Sequence, residues 1–193
     1  GSGTRRHVDG LLDALRFGSV NRPCLVHRLD KDTSGVLLLA RTAAVARQLT
    51  ASFKSKDAQK LYWAIVVGAP RPQRGVIDLA LAKFPGKRGE RMMANTKEGK
   101  RALTIYRVLD TVGRKATWVA FEPLTGRTHQ IRAHAAEALE TPILGDGKYG
   151  GREAFIDGEG IARQLHLHAR ILRLPHPGGG IFECVAPLPT HIK

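Results

Sequence analysis

The sequence predicts an α+β protein: a mixed, mostly antiparallel β-sheet with flanking helices. Two observations carry this reading. Short β-rich segments outnumber helical ones, and they follow one another in mixed order rather than in the regular strand–helix alternation of a doubly wound fold. The GxGxxG fingerprint and the Walker loop are also missing, so nothing in the chain argues for a nucleotide cofactor. A length of 193 residues fits one domain, and 42% hydrophobic residues can build a substantial core.

Taken in order, Val8 to Phe17 reads as a short helix, with Val8, Leu11, Leu12 and Leu15 on one face. Leu25-Val26 and Val36 to Ala40 are apolar segments bracketing the polar stretch His27 to Gly35, giving strand, loop, strand. Thr42 caps a helix to about Lys54, with Val45, Leu49 and Phe53 as its stripe. Leu61 to Val67 is rich in β-formers and ends at Gly68-Ala69-Pro70. Val76 to Leu81 is a further strand. Ala102 to Leu109 and Ala116 to Phe121 alternate as an antiparallel pair. Thr128 is placed to cap a helix from about His129 to Leu139, which Pro142 stops. Leu165 to Leu174 and Ile181 to Val185 are the last strands.

Charge is the first functional clue. Lys plus Arg is 31 against 17 Asp plus Glu, a net charge of +14. Such a surface attracts polyanions, and nucleic acid is favoured over membrane because no Lys/Arg-faced amphipathic helix or lipidation signal occurs. No apolar run approaches the roughly 18–20 residues needed to span a bilayer. The first residues are polar and lead into no apolar segment of a secretory signal, and two cysteines, Cys24 and Cys184, fit a reduced cytosol. A cytoplasmic protein is expected. No oligomer signal is present, so a monomer is expected.

Two polar constellations stand out. His27-Arg28-Leu29-Asp30-Lys31-Asp32-Thr33-Ser34-Gly35 is held between apolar segments, as catalytic loops commonly are. Asp32 and Ser34 read as turn chemistry, whereas Asp30 is drawn towards the core, where an acid needs a partner. Gly126-Arg127-Thr128-His129-Gln130-Ile131-Arg132 opens a helix and puts His129 and Arg132 on one face. Arg132, on an apolar flank, is expected to reach an acid or a phosphate.

Between residues 83 and 101 seven basic residues, among them Lys83, Lys87, Arg88 and Arg91, face only Glu90 and Glu98. This segment reads as a phosphate-gripping loop, or else as a solvated hairpin. His166-Leu167-His168 invites a metal, but zinc needs three or four ligands and no HExxH or paired cysteines supply the rest, so no metal is expected.

Together and in this order the motifs resemble the RluA-type pseudouridine synthases. The resemblance rests on His27-Arg28-Leu29-Asp30 with Thr33-Ser34-Gly35, Lys60-Leu61-Tyr62, and Gly126 to Arg132 with His134. It continues through Pro142-Ile143-Leu144-Gly145-Asp146, Tyr149-Gly150 and Leu167-His168-Ala169, with His176-Pro177 after it. It is closest to the bacterial large-subunit ribosomal RNA enzymes, C-type ahead of D-type. The family's preceding Lys-Pro-x-Gly strand and small basic RNA-binding domain are not in this sequence, which is therefore expected to be a single catalytic domain over 1–193.

The resemblance implies the pseudouridine synthase catalytic fold, with an active-site cleft across the sheet, and cofactor-independent isomerisation of uridine in ribosomal RNA. It maps the essential aspartate onto Asp30, as nucleophile or as remover of the 2′ proton. It pairs Arg132 with Asp30 in a nearly dry pocket and offers Tyr62 for stacking on uracil and for late proton transfer. Arg28 would fill the stack vacated by a flipped base, and Leu167 would complete the pocket. His27, Arg127 and His129, with the basic loop, would contact RNA. The competing readings are a non-catalytic ribosomal RNA-binding module and a metal-dependent nuclease using Asp30, Asp32 and histidines.

Overall fold

The computed structural model describes residues 8–85, 91–95 and 97–193. A 3-10 helix over Val8–Leu15 precedes β1 (Cys24–Leu25), β2 (Ser34–Gly35), β3 (Leu39–Ala40) and α1 (Ala43–Ser55). Strands β4 (Gln59–Val67), β5 (Arg74–Asp78), β6 (Leu81–Phe84), β7 (Arg91–Ala94), β8 (Leu103–Val112) and β9 (Ala116–Pro123) come next. Then come α2 (Gln130–Glu137), β10 (Leu167–Pro175), β11 (Ile181–Val185) and a final 3-10 turn, Thr190–Ile192. The α+β class holds, and no described helix is long and apolar enough to cross a membrane.

These residues form two compact units. The first comprises residues 8–29, Leu37–Ala58 and Arg173–Glu183; the second comprises Asp30–Val36, the described residues of 59–172, and Cys184–Lys193.

In the first unit, β1 and β3 pair antiparallel, with Cys24 opposite Ala40. Helix α1 begins as expected. Thr42 is extended and its hydroxyl accepts the Val45 N–H at 3.2 Å, which satisfies one of the donors a helix start leaves open. Leu49 is buried between half-buried Val45 and Phe53, and Lys56 closes the helix in the left-handed conformation. The expected helix at residues 8–17 is instead a 3-10 helix ending at Leu15. Leu12 is buried but Leu11 is largely exposed, so the stripe does not form one apolar face.

The second unit is built on a sheet in which β4, β9, β8 and β5 pair antiparallel in that order, with β10 on the other side of β4. Alternation fixes the faces: Ala64 and Val66 of β4, Tyr106 of β8, and Val119 and Phe121 of β9 point into one core with Ile131, Ile143, Leu165 and Leu167. Short β2 joins β10 in parallel, pairing Ser34 with His168 and Gly35 with Ala169. The apolar run 36–40 is therefore not one strand: only its end forms β3, while the Val36 N–H donates to the Ala169 carbonyl at 2.9 Å.

The basic segment is a hairpin in its described part. β6 pairs antiparallel with β7, Lys83 lying opposite Met92 and Phe84 opposite Arg91. This corrects the expected loop: Leu81 and Met92 are buried with Ala102, Ala133 and Tyr149, and that apolar side forces strand pairing. Lys87 and Arg88 lie outside the described residues.

Candidate active site

Asp30 opens a tight turn. The Thr33 N–H donates to its carbonyl at 3.1 Å, and Asp32 takes a left-handed φ of 68°, a conformation aspartate tolerates. The turn residues thus behave as their composition predicts. Both residues of β2 anchor the turn. Gly35 has a φ of 112°, and a Cβ there would lie 2.2 Å from the Ala169 carbonyl oxygen. Only glycine lets β2 approach β10 this closely. The Ser34 hydroxyl adds a hydrogen bond with His168 Nδ1 at 2.9 Å.

The Asp30 carboxyl is half-buried, not enclosed in a dry pocket. Its charge reaches three groups on other elements. It raises the pKa of Tyr62 on β4, opposes the lowering of His129, and helps raise that of Arg132 on α2. Burial and then Asp30 push the Tyr62 phenol up to about 12, so it stays protonated at neutral pH.

Arg132 does not pair with Asp30. Its Nε and Nη2 donate to the two oxygens of Asp146, each at 2.7 Å, in a bidentate pair. Arg132 is 8% exposed and Asp146 1%. Asp146 also accepts the backbone N–H groups of Lys148 and Tyr149 at 3.2 Å. Burial opposes the arginine's charge, but the bonds and charge of Asp146, aided by Asp30, outweigh it. Two parallel bonds to a carboxylate fixed by its own loop are a better match for a planar guanidinium than a half-exposed turn residue.

Tyr149 packs against this pair. The guanidinium carbons of Arg91 and Arg132 each lie 5.0 Å from its ring centre. Its hydroxyl meets the Met92 N–H and His129 Nδ1, both at 3.0 Å. Burial pushes this phenol up to about 12 as well.

The helix carrying Arg132 is not capped by Thr128, which is exposed. The N-cap is His129, left-handed at φ 50°, ψ 25°, a conformation in which no side-chain cap forms. Buried Gln130 substitutes: its Oε1 accepts from the Arg127 N–H and the Thr125 hydroxyl, while its Nε2 donates to the Leu103 carbonyl and Thr104 hydroxyl.

The other expected site residues divide between packed and exposed positions. His27 lies in the first unit, half-buried, where its Nε2 accepts the Leu38 N–H at 2.8 Å and its ring stacks on Phe53. Arg28, in the same unit, is exposed. Leu167 is 2% exposed inside the core, so it has no surface to offer a base. Arg91, expected to grip phosphate, is engaged with Tyr149 and lies 3.8 Å from Glu137. Arg127 is exposed, its Nε donating to the Arg101 carbonyl, and Lys83 is exposed on β6. His166 and His168 are both buried, and no three His, Cys, Asp or Glu side chains converge on one point among the described residues.

Sequence reasoning gave no role to Asp146 or Tyr149, although both stand in quoted motifs. The available signal was an acid within Ile-Leu-Gly-Asp, an apolar setting that demands a cation.

With this geometry in hand, comparison with known proteins is decisive. The family model for RNA pseudouridylate synthases matches residues 4–137. The chain belongs to that family. It is 43% identical over 183 residues to an uncharacterised RNA pseudouridine synthase of Zymomonas mobilis, covering 94% of this chain and 80% of that one. It is 40% identical over 156 residues to the dual-specificity RNA pseudouridine synthase RluA of Escherichia coli, covering 80% of this chain and 68% of that one. The chain spans only 54% of a similar, uncharacterised Synechocystis synthase. Among solved structures, human RNA pseudouridylate synthase domain containing 4 superposes with a TM-score of 0.81 at 29% identity, covering 98% of this chain and 82% of that one. The α+β sheet is thus the fold of the pseudouridine synthases.

Proposed function

We propose that this chain converts specific uridines of 23S ribosomal RNA to pseudouridine in the cytoplasm, with Asp30 as the reactive carboxylate. The observation that supports this most is the family match over residues 4–137, within which Asp30 stands in a turn tied to β10 through β2, its carboxylate receiving none of the described hydrogen bonds.

The reaction is an isomerisation. The N1–C1′ bond breaks, the base rotates, C5 joins C1′, and the C5 proton is replaced by one at N1. No electron leaves or enters, so the chemistry asks only for a base or nucleophile, a flipped nucleotide and charge stabilisation. Asp30, half-buried on a rigid turn, is open to a substrate as nucleophile or as remover of the 2′ proton. Tyr62 stacks on the uracil, an interaction of about 1–3 kcal/mol per base. Its phenol, holding its proton, is suited to donate a hydrogen bond and is a poor base at neutral pH. Base flipping costs a few kcal/mol, and exposed Arg28 is a planar cation fit to fill the gap. Arg132 acts on the site as a charge fixed by Asp146. The basic surface, Lys83 and Arg127 included, supplies phosphate contacts without sequence choice. Kinship with dual-specificity RluA extends the resemblance across the RluA type rather than to the C-type in particular.

The test is Asp30→Asn in single-turnover assays on 23S transcripts. Product should disappear while RNA affinity stays near wild type. Retained isomerisation would remove Asp30 from the mechanism, and binding without product by the wild-type chain would favour a non-catalytic module. Pseudouridine mapping in cells lacking the gene tests the RNA: losses confined to transfer RNA would overturn the ribosomal assignment.

A further inference from the structure

We propose that Tyr149 is a positioning residue that fixes the tautomer of His129, so that the Nε2–H of that imidazole is offered as a donor to a uracil or phosphate oxygen of the bound RNA. The proposal rests on this cluster being the isomerisation site.

The argument is a count of protons. The Tyr149 oxygen has two hydrogen-bond neighbours among the described residues, the Met92 backbone nitrogen and His129 Nδ1, each at 3.0 Å. A backbone amide only donates, so it occupies a lone pair of the phenol oxygen. The phenol keeps its own hydrogen, and its sole described acceptor is His129 Nδ1. A neutral imidazole that accepts at Nδ1 carries its hydrogen at Nε2. A charged imidazolium would instead donate from both nitrogens and leave the buried phenol hydrogen without an acceptor. Burial and the Arg132 and Lys148 charges favour the neutral ring, against the opposing pull of Asp30 and Asp146.

Tyr149 is itself held firmly. It is 6% exposed, has two guanidinium carbons 5.0 Å from its ring centre, and meets the His129 ring edge to face at 87°, with centres 5.7 Å apart. His129 remains half-buried, so its outer nitrogen is not sealed in the core. The left-handed backbone at 129 sets the ring against the phenol instead of serving a helix cap. The same phenol grips β7 of the basic hairpin through Met92, so that hairpin and His129 share one anchor.

The first test is the nitrogen-15 NMR spectrum of the histidines in the full chain without RNA. His129 should show a protonated Nε2 and a bare Nδ1, and Tyr149→Phe should spread the hydrogen over both nitrogens. An Nδ1–H form in the wild type, or an unchanged tautomer in the variant, would overturn the proposal. Tyr149→Phe keeps the ring beside both guanidiniums, and a thermal melt checks that it folds. Its single-turnover rate should fall about tenfold, the scale of one hydrogen bond, with RNA affinity unchanged. A loss in affinity alone would contradict the tautomer role. His129→Gln, which offers an amide N–H near the Nε2 position, should recover more rate than His129→Asn or His129→Ala; equal rates would refute the donor.

Substrates with thiouracil or a phosphorothioate at the target nucleotide identify the accepting oxygen. The sulfur that slows the wild type but not His129→Ala marks it, and no such difference would refute the donor. Because the spectrum is read without RNA, its failure leaves isomerisation standing. Absence of product from the wild-type chain would strike the function instead.

Discussion

Asp30 and Asp146 are the same side chain put to opposite uses within one compact unit. Asp146 is 1% exposed, and its carboxylate takes two guanidinium bonds and two backbone amides. The Asp30 carboxylate is half-buried and receives none of the described hydrogen bonds; only its backbone is tied, through the turn to Thr33 and the β2–β10 pairing. A saturated carboxylate contributes stability and holds a cation in place. A carboxylate held by its backbone keeps its lone pairs for a substrate. Under the function proposed above, the unsatisfied acid is the reactive one and the fully satisfied acid is structural.

The sharpest way to break this contrast is Asp146→Ala. It strands a buried guanidinium and should cost about 3–5 kcal/mol in urea unfolding. A loss below about 1 kcal/mol, the scale of exposed pairs, would mean the pair behaves as a surface bridge. Next is Gly35→Ala, whose Cβ would meet the Ala169 backbone at 2.2 Å in a left-handed region. A loss of about 1–3 kcal/mol is expected from the strain, with activity falling further as the Asp30 turn shifts. Unfolding and turnover measured on one preparation separate the two.

Acid should come third. Burial lowers the pKa of His129, His134, His166 and His168 from 6.5, so the unfolded chain binds protons more readily than the native one. Stability is full above about 6.5 and declines as pH falls below it. A melting temperature that rises between pH 6.5 and 5 would contradict that burial. The smallest effect is expected from Asp30→Asn, which should unfold within about 0.5 kcal/mol of wild type, as substitutions outside tight networks do. A loss as large as that of Asp146→Ala would erase the distinction.

Much of the fold was legible because it depends on local periodicity. β-formers at 61–67, alternation at 102–109 and 116–121, and Thr42 ahead of the Val45–Leu49–Phe53 stripe each signal an element without tertiary knowledge. Pairing was less legible. Arg132 announced that it needed an acid, but Asp30 and Asp146 both qualified, and the choice depends on which one the fold buries. Alternation placed Leu167 on a face but gave no depth, and it lies in the core. Thr128 looked like a cap because capping is read from residue type. The left-handed turn at His129 and the buried Gln130 that replaces the cap arise from long-range bonds to Leu103 and Thr104.

The close seat of Gly35 against Ala169 has a practical consequence for anyone redesigning this scaffold. Chain length between residues 30 and 35 is locked to the neighbouring strand, so insertions or cyclic permutants opened there would displace the acid they were meant to retune.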